Sequence, residues 1–230
     1  MRYNAAFVSA LMVTTLSCAP NRPDLAPAPT AQPAPPGPGS GAVATEAGVT
    51  VEARAGAWRG QPRNLEAESI PLLVEITNDS EHPLRLRYSD LMLVASNGET
   101  YHAIPPFRVE GTVAQSVDVP AYSATGFRVA PYLSRYYPRY SRVTRAFVFD
   151  PLYYDTYVPA LVQIELPTAD MISMALPEGV LDPAGRITGF LYFEDVEDLD
   201  ITSVDFTVNL VNADSGTQFG TVRLPFIVQE

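Results

Sequence analysis

The side chains able to do chemistry in this chain are few and scattered. His82 and His102 are the only imidazoles. One precedes Pro83 in a turn cluster and the other follows a hairpin signal, so their spacing is not that of metal ligands. A serine nucleophile needs a base held against it, and the chain has neither a G-x-S-x-G elbow nor a paired-histidine motif. Glu194-Asp195-Val196-Glu197-Asp198-Leu199-Asp200 concentrates five carboxylates. A calcium loop would also want a glycine at its sharp bend. This run has none, so it reads as a solvated turn between strands. Met171 and Met174 could offer thioethers to Cu(I), but their spacing in a short helix places them in a core. No cofactor, metal or catalytic residue is expected. A hydrolase assembled by long-range contacts is the weaker alternative, and a concave pocket lined by His102 and carboxylates would be its sign.

A second constellation has the chemistry of binding. Between Asp118 and Asp150 there is no acidic residue, while Arg128, Arg135, Arg139, Arg142 and Arg145 fall in that interval. Seven of the 12 tyrosines lie from Tyr132 to Tyr157. Tyr gives large contact area with few rotamers, and Arg gives a planar donor fork. Both are enriched at binding hot spots. The candidate binding residues are Tyr132, Arg135, Tyr136, Tyr137, Arg139, Tyr140, Arg142, Tyr153 and Tyr154. Pro131, Pro138, Pro151 and Pro159 preclude a long helix through them. The partner would be anionic or sugar-bearing: peptidoglycan, lipopolysaccharide or another envelope protein. The alternative is that these side chains pack on the domain's own sheet and pair with its acids.

Cys18 is the only cysteine. Arg2, the apolar run from Ala5 to Leu16 and the small residues around the cysteine have the three parts of an export signal. About a dozen apolar residues are too few to span a ~30 Å hydrocarbon core. Thr15-Leu16-Ser17-Cys18 resembles the lipobox of bacterial lipoproteins. That resemblance implies cleavage before Cys18 and acylation of its sulfur, palmitate included. It also disposes of an otherwise unpaired exported thiol. By the same resemblance, Ala19 rather than Asp after the cysteine implies sorting to the outer membrane, with the domain facing the periplasm. The anchor then makes the membrane itself a partner.

The elements that must position these residues follow in order. Residues 1–17 read as the signal. Residues 18–47 read as a lipidated cysteine and a disordered Pro/Ala-rich tether, since eight of the 22 prolines lie from Pro20 to Pro38. Such a segment has little apolar surface with which to offset the entropy of folding; fully extended it would reach ~90 Å. Residues 48–230 read as one domain. Its alternation has period two: Val49, Val51 and Ala53; Leu72, Val74 and Ile76; Leu84 and Leu86; Leu91 and Leu93; Ile187, Leu191 and Phe193; Val204, Phe206, Val208 and Leu210; Val222, Leu224, Phe226 and Val228. Asn78-Asp79-Ser80, Asn97-Gly98 and Asp214-Ser215-Gly216 mark turns. A short helix is expected from Thr168 to Leu176, with Thr168 as its N-cap. The fold class is all-β, an antiparallel sandwich with one or two short helices at most and a Tyr/Arg-rich insertion over about 105–182. The net charge of −11, with no lysine, excludes a nucleic-acid binder, which needs a basic face.

Leu72-Leu73-Val74-Glu75-Ile76-Thr77-Asn78-Asp79-Ser80, Pro83-Leu84-Arg85-Leu86, Gly98-Glu99-Thr100-Tyr101 and Gly189-Phe190-Leu191-Tyr192-Phe193 resemble the strand and turn motifs of immunoglobulin-like domains of unknown function found in bacterial lipoproteins. The resemblance covers about half of the mature chain. It implies an immunoglobulin-like sandwich serving as an extracytoplasmic interaction module, and it transfers no catalytic residues. The expected function is non-catalytic binding or envelope assembly. The alternative is a carbohydrate- or peptidoglycan-binding module acting through the Tyr/Arg residues.

Overall fold

The computed structural model describes residues 24–115, 162–194 and 201–229. Thirteen strands form there, in chain order β1 (Asp24–Pro27), β2 (Ser40–Glu46), β3 (Val49–Ala55), β4 (Ile70–Asn78), β5 (Leu84–Leu86), β6 (Leu91–Ala95), β7 (Thr100–His102), β8 (Thr112–Gln115), β9 (Val162–Glu165), β10 (Gly179–Leu181), β11 (Gly185–Phe193), β12 (Ser203–Asn212) and β13 (Gln218–Gln229). One α-helix, α1 (Ala169–Met174), lies among the described residues. The Thr168 hydroxyl accepts from the Met171 amide at 3.3 Å, so the expected N-cap is present.

Two antiparallel sheets pack face to face. The first runs β11-β4-β3-β2. The second runs β1-β13-β12, and the far edge of β12 is shared by β6, which continues to β7, and by β5, which continues to β10. The molecule is an all-β sandwich. The alternating residues are its core: Val51, Leu72, Val74 and Ile76 from one sheet meet Leu93, Phe206, Leu210 and Leu224 from the other, each at most 1% exposed.

Turn chemistry sets the register. Gly98 sits at φ +91° and its amide donates to Ala95 O, closing the expected β6–β7 hairpin. Ala47-Gly48 joins β2 to β3 with both residues at positive φ (49° and 80°), a two-residue hairpin turn in which alanine occupies a conformation glycine adopts more easily.

The N-terminal segment departs from expectation. Residues 24–46 are not a disordered tether; they fold as part of the sandwich. β1 pairs with the C-terminal end of β13, and Leu25 is buried in the main core. The segment then crosses to the other sheet. There the Val43 amide donates to Gln32 O and the Ala34 amide to Gly41 O, beside a Pro33–Ala42 bridge, which lines the outer edge of β2. Composition misleads here for a physical reason. Proline lacks a donor, but an edge strand needs donors on one side only. Pro225 in β13 obeys the same rule: its carbonyl accepts from the Ala28 amide, so its missing N–H lies on the outer side and costs β12 no bond.

The expected insertion is also narrower than 105–182. β8 and β9 pair as a two-stranded ribbon, residues 166–176 pack back on the sandwich, and β10 joins the second sheet through β5. A small second core forms where this return crosses the outer face of β11. Trp58, Leu65, Val109, Met171, Phe190 and Tyr192 fill it. Trp58 meets Phe190 edge-on at 5.0 Å, and its indole N–H donates to Pro62 O at 2.6 Å. β11 is therefore buried on both faces at its C-terminal end, with Leu191 and Phe193 in one core and Phe190 and Tyr192 in the other.

Candidate binding surfaces

Two concave surfaces formed by described residues carry polar side chains. The larger is an open cleft of about 590 Å³ between β7 and the end of β11, lined by Glu99, Tyr101, His102, Ile104, Arg108 and Glu194 among others. β7 and the 3₁₀ turn Pro106–Arg108 position these groups. The Tyr101 hydroxyl donates to the Glu99 carboxylate at 2.7 Å. His102 lies on the exposed side of β7, and no hydrogen bond reaches its ring among the described residues. The cleft thus has the histidine and carboxylates that a hydrolase reading asks for. Among the described residues it lacks an imidazole oriented by an acceptor and placed against a nucleophile, the arrangement that nucleophilic catalysis requires. It is a mixed-charge, hydrogen-bonding groove suited to holding a polar ligand or chain. Phe107, 68% exposed, stands in the same 3₁₀ turn.

The smaller surface is a pocket of about 220 Å³ on the outer face of the first sheet, beneath Pro36–Pro38. Glu52 and Glu75 stand directly opposite on β3 and β4, a cross-strand repulsion. Two arginines offset it. Arg54 donates to Glu52 at 2.5 Å and to the Pro35 carbonyl, and Arg186 pairs with Glu75. Thr188 also donates to Glu75, at 3.1 Å. The hydrogen bond from Arg186 is the main reason that the Glu75 carboxyl lies below its ordinary pKa, against an opposing effect of burial. Arg54 is nearly buried. All four charges are internally matched, so this pocket is a structural network with little capacity left for a ligand.

The residues singled out in the sequence are placed as follows. Cys18 and the whole set Tyr132, Arg135, Tyr136, Tyr137, Arg139, Tyr140, Arg142, Tyr153 and Tyr154 lie outside the described residues. Of the acidic run only Glu194 is described, and it borders the cleft. Met171 is fully buried in the second core. His82 is exposed at a turn, its ring edge-on to Phe219 at 5.6 Å. Among the described residues no three His, Cys, Asp or Glu side chains converge as a metal site. No described helix is long and apolar enough to cross a membrane. The cleft was missed by sequence reasoning because its lining comes from β7, a 3₁₀ turn and the end of β11. The sequence offered only His102, named with carboxylates as the sign of a hydrolase pocket.

Compared with protein-family models, with curated proteins and with solved structures, the chain matches none of them.

Proposed function

We propose that this chain is a lipid-anchored lipoprotein of a bacterial envelope, held to the outer membrane through Cys18 and facing the periplasm. Its sandwich serves as a non-catalytic binding or envelope-assembly module. The observation that carries the binding reading is the cleft of about 590 Å³, where the accessible polar groups of Glu99, Tyr101, His102, Arg108 and Glu194 converge. The strand order supports the resemblance to immunoglobulin-like domains. β3-β4-β11 facing β13-β12-β6-β7 corresponds to strands A-B-E facing G-F-C-C′ of such sandwiches. In vivo crosslinking from the cleft rim, with a photoreactive residue at Arg108, tests the reading. A discrete envelope partner recovered from wild type supports it. Turnover of a model ester or peptide that is lost in His102→Ala counts against it.

A second reading keeps the Tyr/Arg residues as a sugar-binding surface. Among the described residues β8 and β9 pair only with each other, which sets Gln115 directly opposite Val162 on either side of the Tyr/Arg residues in the sequence. Isolated sacculi should retain the wild type better than a Tyr136/Tyr137/Arg139→Ala variant; equal retention removes the sugar version.

A further inference from the structure

The β1 clip changes where the domain stands. The described part of the sandwich begins at Asp24, which pairs with Gln229, and Leu25 pairs with Val228. The amide of Val228 in turn donates to the Thr202 carbonyl, at the start of β12. The entry point therefore lies at one end of the sandwich, beside Thr202 and the β6–β7 hairpin, whose Ser96 amide donates to Ser203 O. The opposite end carries the turn through Asp214, Ser215 and Gly216. β12 spans the distance between these ends, about 33 Å for its ten residues. From Cys18 to Asp24 there are six Cα steps, which cover at most about 20 Å whatever their conformation. A free tether through residue 47 would have allowed several times that distance.

We propose that the sandwich stands directly on the membrane that anchors it, with its chain-entry end at the lipid headgroup layer and the Asp214 turn pointing away. This rests on the anchor reading of Cys18. Glu194, which borders the cleft, follows the last residue of β11, and that residue pairs with Ile70 at the entry end of the first sheet. The cleft therefore opens near the membrane surface, and its partner is a component presented at that surface.

The test uses the full-length protein purified from membranes and reconstituted into phosphatidylcholine vesicles carrying headgroup spin-labelled lipid. Cys18 is the sole native cysteine, so Thr202→Cys and Asp214→Cys each provide one reactive thiol for a fluorophore once Cys18 is acylated. Both positions are exposed. The label at Thr202 should be quenched strongly and the label at Asp214 weakly. Adding Leu25→Asp should release β1 and relieve the quenching at Thr202. A long Gly/Ser insert after Pro20 should do the same while leaving the fold untouched. Mass spectrometry of the N-terminal peptide separates the failures. An acylated protein with equal quenching at both positions overturns the standing geometry alone. A protein without acyl chains overturns the anchor reading and this inference with it.

Discussion

Asn78 holds one end of the sandwich together. Its side chain is completely buried, and its amide donates to the carbonyls of His82 and Leu181 at 2.9 Å each. Its oxygen accepts from the Ser80 amide and hydroxyl. One residue thus joins the β4–β5 turn to the strand that precedes β11. The sequence announces the turn, since Asn-Asp-Ser is turn chemistry. It does not announce the burial, because the Leu181 partner is 103 residues away. Asn78→Ala removes the donor to the buried Leu181 carbonyl, while the His82 carbonyl keeps the Ser80 hydroxyl, and should cost about 2 kcal/mol. Urea denaturation would read this as a lower midpoint at unchanged slope. Tyr192 is the buried counterpart on the other face of β11. Its hydroxyl donates to Met171 O at 2.9 Å, and burial pushes its pKa well above the ordinary value of 10.

At the scale of elements, the strands with clean alternation were legible: β3, β4, β6, β11, β12 and β13 all carry the core faces read from their periodicity. The segments that were misread lack a period of their own. β1 has four residues, Asp-Leu-Ala-Pro, and one anchoring side chain; its conformation comes from β13. The Trp58 loop is irregular and is held by the aromatic contacts it makes with Phe190 and Tyr192. The edge role of residues 24–34 carries a prediction. Removing the chain through Pro27 uncovers the outer edge of β13 next to Phe226 and Val228, and unpaired edges template association. The truncated domain should form dimers or larger species in light scattering where the untruncated domain is monodisperse, and it should lose about 2 kcal/mol from the unburied Leu25.

At the scale of the whole molecule, stability should form a plateau in pH with two unequal limbs. Tyr192 and Tyr88 have folded pKa values raised by burial, and for Tyr88 also by the Glu178 charge. Their contribution is complete below pH 10 and is lost as pH rises through the raised values. Glu75 is the reverse case. Its contribution is complete above the ordinary value of 4.5 and is lost as pH falls through its lowered value. Arg186, its main partner, is 63% exposed and screened by salt, so the acid limb should be shallow and shrink with ionic strength. Thermal melts across pH at two salt concentrations would show this; an acid limb as steep as the alkaline one would contradict it. The two-sheet architecture was readable from strand and turn grammar, whereas the cleft and the clasped N-terminus depend on long-range pairing that no local pattern encodes. The claim that joins them to function is the anchor. Metabolic labelling with a clickable fatty acid, on wild type and Cys18→Ser, tests it most directly. The account predicts label on wild type and none on the variant; equal labelling of the two, or none on either, would contradict it.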